Sequence, residues 1–266
     1  MYDKFNRKIS YLRVSVTDRC NLRCTYCMPC EGVQLLRHDD ILSLEEITDV
    51  INAGVKMGIE HVRLTGGEPL VRKGIVNLVQ MISGIDGIND LSLTTNGQLL
   101  EKFAFELADA GLKRVNVSLD AMDPDEYRLM TRGGEIEPVL RGIDAARKAG
   151  LLPIKINCVI SDSAQERNAA EVAAYCEEQG LQIRYIHQMN LEKGEFSVVE
   201  GGDGGNCASC NRLRLTANGM IKPCLFNDKE FSVREFGAEE AIRLALGNKP
   251  ACGTNNMTGK FYNIGG

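Results

Sequence analysis

Three cysteines near the N-terminus, Cys20, Cys24 and Cys27, stand in the order C-x₃-C-x₂-C within Asp18-Arg19-Cys20-Asn21-Leu22-Arg23-Cys24-Thr25-Tyr26-Cys27-Met28-Pro29. Three thiolates can hold three irons of a cubane 4Fe–4S cluster, whereas such clusters normally take four cysteine ligands. The remaining iron is then open to bind a small molecule and act on it. Two rival chemistries use similar spacings. A structural zinc site closes four ligands in paired knuckles, and no second knuckle lies nearby. Cys24, Cys27 and Cys30 also spell the C-x₂-C-x₂-C of a bacterial ferredoxin, but that run continues to a cysteine followed by proline, which is missing here. Cys30 therefore reads as a bystander.

A second group, Cys207-x₂-Cys210-x₁₃-Cys224, again offers three thiolates, and Cys252 could complete a four-cysteine zinc site instead. Arg212 and Arg214 follow at once and, in an extended segment, point the same way. Arginine binds phosphate bidentately, so two guanidiniums beside a cluster imply an anionic ligand. Gly66-Gly67-Glu68-Pro69 closes a β-rich run. Glycines let backbone approach a ligand closely, and carbonyls there could accept hydrogen bonds from a substrate amine; a plain βα turn is the other reading. Cys158 and Cys176 fall in apolar patterns and read as core. Glu135 and Glu137 read as solvated loop charges.

These residues need a frame. Ser43 and Glu46 form a capping box that opens a helix with Leu44, Ile47, Val50 and Ile51 on one face. Gly58 ends it, and Ile59–Thr65 reads as a strand. Gly111, Gly150 and Gly180 repeat the punctuation before Arg114–Leu119, Ile154–Val159 and Gln182–His187. Glycine just past a helix is the left-handed stop. With Tyr11–Val16 and Leu91–Thr95 the reading gives six strands alternating with helices, suited to an open doubly wound sheet or a partial (β/α)6 barrel. Both place ligands at the strand C-terminal ends. After Met189 the register fails and Gly201-Gly202-Asp203-Gly204-Gly205 leads to the second cysteines, so a boundary is expected near residue 190.

Composition narrows the classes. The 266 residues permit one large and one small domain, expected at 1–190 and 191–266. A formal charge of −5 argues against a general nucleic-acid binder, so any polyanion site must be a local basic cluster. Ten cysteines without a signal-like N-terminus point away from a secreted disulfide framework and towards a reducing cytoplasm. No apolar run is long enough to span a bilayer.

The cysteine triad followed by Gly66-Gly67-Glu68-Pro69 resembles the signature of radical S-adenosylmethionine (SAM) enzymes. The likeness sharpens with Leu12–Cys20, Cys27-Met28-Pro29, Arg63–Leu70, Thr94-Thr95-Asn96-Gly97, Cys210-Asn211-Arg212-Leu213-Arg214-Leu215 and the terminal Ile264-Gly265-Gly266. Together these resemble the GTP 3′,8-cyclase family of molybdenum-cofactor biosynthesis over nearly the whole chain. The resemblance implies an α/β fold: a partial (β/α)6 TIM-like barrel with a small C-terminal auxiliary-cluster domain. It implies two 4Fe–4S clusters, one on Cys20, Cys24 and Cys27 and one on Cys207, Cys210 and Cys224. SAM would be held also by Tyr26, Gly67, Ser118 and Met189. GTP would be held by Arg13, Arg63, Thr94, Lys155, Arg212 and Arg214, with Arg184 a neighbour.

The implied reaction is that of a lyase in molybdopterin biosynthesis. A 5′-deoxyadenosyl radical takes the ribose 3′ hydrogen of GTP, and attack on C8 yields (8S)-3′,8-cyclo-7,8-dihydroguanosine 5′-triphosphate. A low-potential donor such as reduced flavodoxin or ferredoxin, a homodimer, and a double-glycine tail threading the site also follow from the resemblance. The chain departs from the family pattern in four places. The segment from Met189 to Cys207 is shorter, His61 stands where lysine is common, His187 where an acid is common, and Cys252 is additional. Two alternatives remain at this level: a radical SAM enzyme that modifies a peptide or another small molecule, and a non-catalytic iron–sulfur electron-transfer protein.

Overall fold

The computed structural model describes residues 1–29, 31–189 and 197–254. All six expected strands form, with ends within two residues of the sequence reading: β1 (Tyr11–Ser15), β2 (His61–Thr65), β3 (Asp90–Thr95), β4 (Arg114–Ser118), β5 (Lys155–Ile160) and β6 (Gln182–His187). Helices α1 (Leu44–Lys56), α2 (Ile75–Ser83), α3 (Leu100–Asp109), α4 (Pro124–Thr131), α5 (Ile136–Lys148) and α6 (Arg167–Glu178) fill the crossovers. Strand order is β6-β5-β4-β3-β2-β1, every pair parallel. A doubly wound sheet reverses its order at a switch point. This one never does, which is the winding of a partial barrel.

Local chemistry fixes where the elements begin and end. The Ser43 hydroxyl accepts from the Glu46 N–H at 3.1 Å, and the Glu46 carboxylate accepts from the Ser43 N–H at 2.7 Å. That reciprocal pair starts α1 and turns Ile47, Val50 and Ile51 into the core. Gly58, Gly111, Gly150 and Gly180 all take positive φ, between 63° and 106°, at the junctions where the sequence placed helix stops.

Parallel strands usually read as unbroken apolar runs because both faces are covered. Here they alternate. Leu12, Val14, Val62, Leu64, Val115 and Val117 are fully buried in one core with helix residues such as Ile47, Leu78 and Val139. The intervening Tyr11, Arg13, His61, Arg63, Arg114 and Ser118 line an interior cavity instead. A polar inner face gives up hydrophobic burial, which the fold tolerates where a polar ligand is to be held.

Beyond residue 190 the chain extends the same sheet. Strand β7 (Arg212–Leu215) runs parallel to β1, and β8 (Met220–Lys222) and β9 (Phe231–Ser232) follow antiparallel. The short helix α7 (Val233–Phe236) and α8 (Ala238–Gly247) close this part, with α8 packed on α1.

Candidate active site

Cys20, Cys24 and Cys27 lie on the loop after β1, at the C-terminal end of the strands. The loop is pinned to the Gly66-Gly67-Glu68 turn after β2: Gly67 N–H donates to Thr17 O and Glu68 N–H to Arg19 O, both at 2.8 Å. This contact explains the two glycines. A Cβ on Gly66, which has φ 152°, would sit 2.5 Å from Thr17 O, and one on Gly67 would sit 2.3 Å from Arg19 O. The close approach that the glycines permit is first of all that of the cysteine loop.

Further bonds fix the loop from its other side. Arg23 N–H and Thr25 N–H donate to Thr131 O and Met130 O, and Cys27 N–H donates to Cys24 O. The Cys20 sulfur accepts from Leu22 N–H at 3.3 Å and from Asn96 Nδ2 at 3.8 Å. Burial pushes the Cys24 thiol up to about 12, with Asp120 adding to it, and the Cys27 thiol up to about 11; Cys20 is raised by the same cause. Alone, these thiols hold their protons. A cationic metal centre must supply the charge that turns them into ligands, releasing protons as it binds. The donor set fits an iron–sulfur cluster: three cysteines on one loop, all facing one cavity.

Three polar groups, half-buried Tyr26 and the buried Asp120 and Glu68, stand beside this triad. The Tyr26 hydroxyl donates to Asp120 Oδ2 at 2.7 Å, and Asp120 Oδ1 accepts from Val159 N–H at 2.7 Å. Burial lifts Asp120 to about 6 although both bonds oppose it. Glu68 is fully buried and accepts from Leu70 N–H, the Thr95 hydroxyl and Asn96 N–H, joining the ends of β2 and β3. Burial lifts it to about 7.

Every cluster-, SAM- and GTP-binding residue that the resemblance implies, the double-glycine tail apart, lines one cavity of about 720 Å³, the second cysteine triad included, whereas Cys252 does not. Register makes the cationic part of its wall. Arg13 on β1 is level with Arg63 on β2 and with Arg214 on β7, and Ser92 carries the row on to Arg114. One layer further towards the strand starts, Tyr11 is level with His61 and Arg212. The Arg63 and Arg212 guanidiniums lie 5.4 and 5.8 Å from the centre of the Tyr11 ring, within cation–π range. Lys155 and Arg184 add charge from β5 and β6, and Thr94, Ser118 and Met189 complete the wall.

Several groups of this wall keep a single unpaired atom. Arg114 is held bidentately by Asp90, at 2.9 and 2.5 Å. Buried atoms lining the cavity without a hydrogen-bond partner among the described residues are Tyr11 Oη, Arg13 Nε, Arg114 Nη1 and Arg212 Nε. Burial, with neighbouring arginines including Arg13, pushes Arg63 and Arg214 down to about 9. An anionic ligand would relieve both strains, so the pocket is built for one.

Cys207, Cys210 and Cys224 line the same cavity. Lys249, 2% exposed, donates to Arg212 O and Pro223 O at 2.7 Å each, and its charge acts on Cys210. Burial alone would raise Cys210, yet Lys249 and Arg212 pull it below its ordinary value. Among the described residues no three His, Cys, Asp or Glu side chains could share a single metal ion. A cluster distributes its thiolates over separate irons, and both triads line the cavity that carries the cationic row.

Sequence reasoning missed Asp120, Lys249, Tyr11 and Arg114. Asp120, an acid two residues past the end of β4, was the one with a local signal. The double-glycine tail lies outside the described residues, as does Cys30.

Two family models match the chain over overlapping stretches. The Radical SAM superfamily model matches residues 14–176 and the Molybdenum Cofactor Synthesis C model residues 157–250. GTP 3′,8-cyclase of Thermodesulfovibrio yellowstonii is 42% identical, covering 88% of this chain and 87% of that one. GTP 3′,8-cyclase of Geobacter sulfurreducens is 39% identical over 324 aligned positions, covering 100% and 99%. Among solved structures, Streptococcus suis SuiB bound to S-adenosylmethionine superposes with a TM-score of 0.66 at 16% identity, over 93% of this chain and 66% of that one, a likeness of fold.

Proposed function

The chain belongs to the GTP 3′,8-cyclase family of radical SAM enzymes, and from that premise we propose that it joins C3′ to C8 of GTP on the route to molybdopterin. The observation that carries this reading is the row Arg214–Arg13–Arg63, set by register on the wall of the one cavity that both cysteine triads line. In the proposal, Cys20, Cys24 and Cys27 hold one 4Fe–4S cluster and Cys207, Cys210 and Cys224 a second. When bound, the first cluster and SAM would supply the radical chemistry that removes the ribose 3′ hydrogen.

The chain's own residues do the rest. Tyr26, oriented by Asp120, stands with Gly67, Ser118 and Met189 around the SAM site. Arg13, Arg63, Lys155, Arg212 and Arg214, helped by Arg184 and Thr94, neutralise the triphosphate and fix the ribose and base between the triads. Holding both reactants in one walled cavity turns a bimolecular encounter into an oriented one. No described helix is long and apolar enough to cross a membrane; cytoplasmic residence and a small reduced flavoprotein or ferredoxin as electron donor belong to the proposal.

The test is anaerobic incubation of the iron-loaded protein with SAM, a low-potential reductant and GTP. Formation of 5′-deoxyadenosine together with a cyclised nucleotide of unchanged mass is expected. Charge-assisted hydrogen bonds are worth roughly 1.5–3 kcal/mol, so Arg212→Ala and Arg214→Ala should each weaken GTP binding by about ten- to a hundredfold. Unchanged affinity in both removes GTP as the ligand.

A further inference from the structure

The outer side of the second triad carries a feature that cyclisation does not use. Cys252, exposed, lies with its sulfur 3.2 Å from that of half-buried Cys207. Two thiolates on one tetrahedral zinc, each about 2.3 Å from the metal, would stand about 3.8 Å apart, so this pair is closer than shared ligation places it. A disulfide needs about 2.05 Å, within reach of small side-chain rotations. The proximity is built. Arg7 donates to Cys207 O at 2.7 Å, to Ala251 O at 2.9 Å and to Pro250 O at 2.6 Å. Asp3 fixes that guanidinium at 2.6 Å. One clamp therefore ties the backbone of Cys207 to that of the two residues before Cys252. A pocket of about 470 Å³, lined by Phe5, Arg7, Ala208 and Ala251, opens on the sulfur pair.

We propose that Cys207 and Cys252 form a reversible disulfide that withdraws Cys207 from the second triad and makes loading of that site redox-dependent. The withdrawal rests on the reading of Cys207 as a cluster ligand; the disulfide itself does not. The oxidant is a low-molecular-weight disulfide such as oxidised glutathione. The exposed Cys252 thiolate attacks it, forming a mixed disulfide and expelling one small thiol. Cys207 then attacks the Cys252 sulfur and expels the second. Two protein thiols lose two electrons and two protons, and the small disulfide is reduced to two thiols. A reducing thiol pool runs the exchange backwards.

The experiment uses the full chain freed of iron, equilibrated anaerobically across ratios of oxidised to reduced glutathione, alkylated, and mapped by mass spectrometry without reduction. A linked Cys207–Cys252 peptide pair is expected in the wild type and is absent in Cys252→Ser. Reconstituted afterwards without added reductant, oxidised wild type should take up about half the iron of the reduced protein, about four atoms against about eight, while oxidised Cys252→Ser takes up the full amount. Absence of the linked pair overturns the proposal, and so does equal iron uptake by the oxidised and reduced wild type. Reduced Cys252→Ser that binds less iron than reduced wild type also overturns it, by making Cys252 a ligand. A reduced wild type that loads only one cluster's iron sinks the two-cluster reading and the withdrawal with it, while the linked pair still reports the disulfide.

Discussion

Glu68 shows how one buried acid can couple the site to pH. Its carboxyl sits at about 7 because burial outweighs three hydrogen bonds that favour the charge. Between about 4.5 and about 7 the folded chain keeps a proton there that the unfolded chain has released. The contribution of this group to the stability of the iron-free protein therefore falls as pH rises through that window, by at most about 1.4 kcal/mol per pH unit. Asp120, lifted to about 6, acts in the same sense over the lower part of the range. Glu68→Gln should flatten the fall between pH 5 and 7 in urea titrations, and an unaltered slope would show that Glu68 is ionised throughout. Glu68 could be read from the sequence as part of a turn motif, but not as the tie between two strand ends. The difference is one of range. The cysteines and the Arg212-x-Arg214 pair announce themselves by short spacing, and Arg13 and Arg63 entered through the family resemblance, whereas Tyr26 meets Asp120 across 94 positions and Arg7 meets Ala251 across 244. No local pattern encodes such partners.

At the scale of elements, the cysteine loop and the Gly-Gly turn fold as one piece. Thr17 O and Arg19 O accept from the turn, and the turn has no room for a Cβ against either. Gly67→Ala should push the loop off the turn. The expected outcome is loss of SAM binding and of about half the bound iron, with the second triad still loaded, read by equilibrium dialysis and iron analysis. Full SAM binding in the variant would mean that the loop is held by its α4 contacts alone. The six barrel strands and α1 were legible because glycine stops, a capping box and apolar periodicity are local signals. The winding was not, since a doubly wound sheet and a partial barrel share those signals. Nor was the place of β7 beside β1, which aligns Arg214 with Arg13 and creates the cationic row. That pairing joins segments about two hundred residues apart in the chain, and register between such segments is set by the packed whole.

For the molecule as a whole, the strand order leaves β6 as an edge, with β7 on the far side of β1. Sheet edges expose unpaired backbone groups and are usually covered. The Gly-rich segment does this. Tyr185 and Glu200 exchange backbone hydrogen bonds, both at 3.0 Å, and Asp203 O accepts from Arg212 Nη2 at 3.0 Å. One stretch of chain thus reaches from β6 to β7 along the cavity, where Gly202, Asp203 and Gly204 form part of the wall. In the sequence its glycines marked only the break in register after Met189; its function as a strap depends on the edge it meets. Glu200→Pro removes the N–H that pairs with Tyr185 O while leaving the triads and the arginines in place. A net hydrogen bond is worth roughly 0.5–1.5 kcal/mol, so GTP affinity should drop about two- to tenfold with iron content unchanged, and the Tyr185 amide should exchange faster with solvent. Glu200→Gln, which alters only the side chain beside His187, should retain both the affinity and the amide protection. If Glu200→Pro binds GTP as tightly as the wild type while its Tyr185 amide is freed, the strap covers an edge and has no hold on the nucleotide.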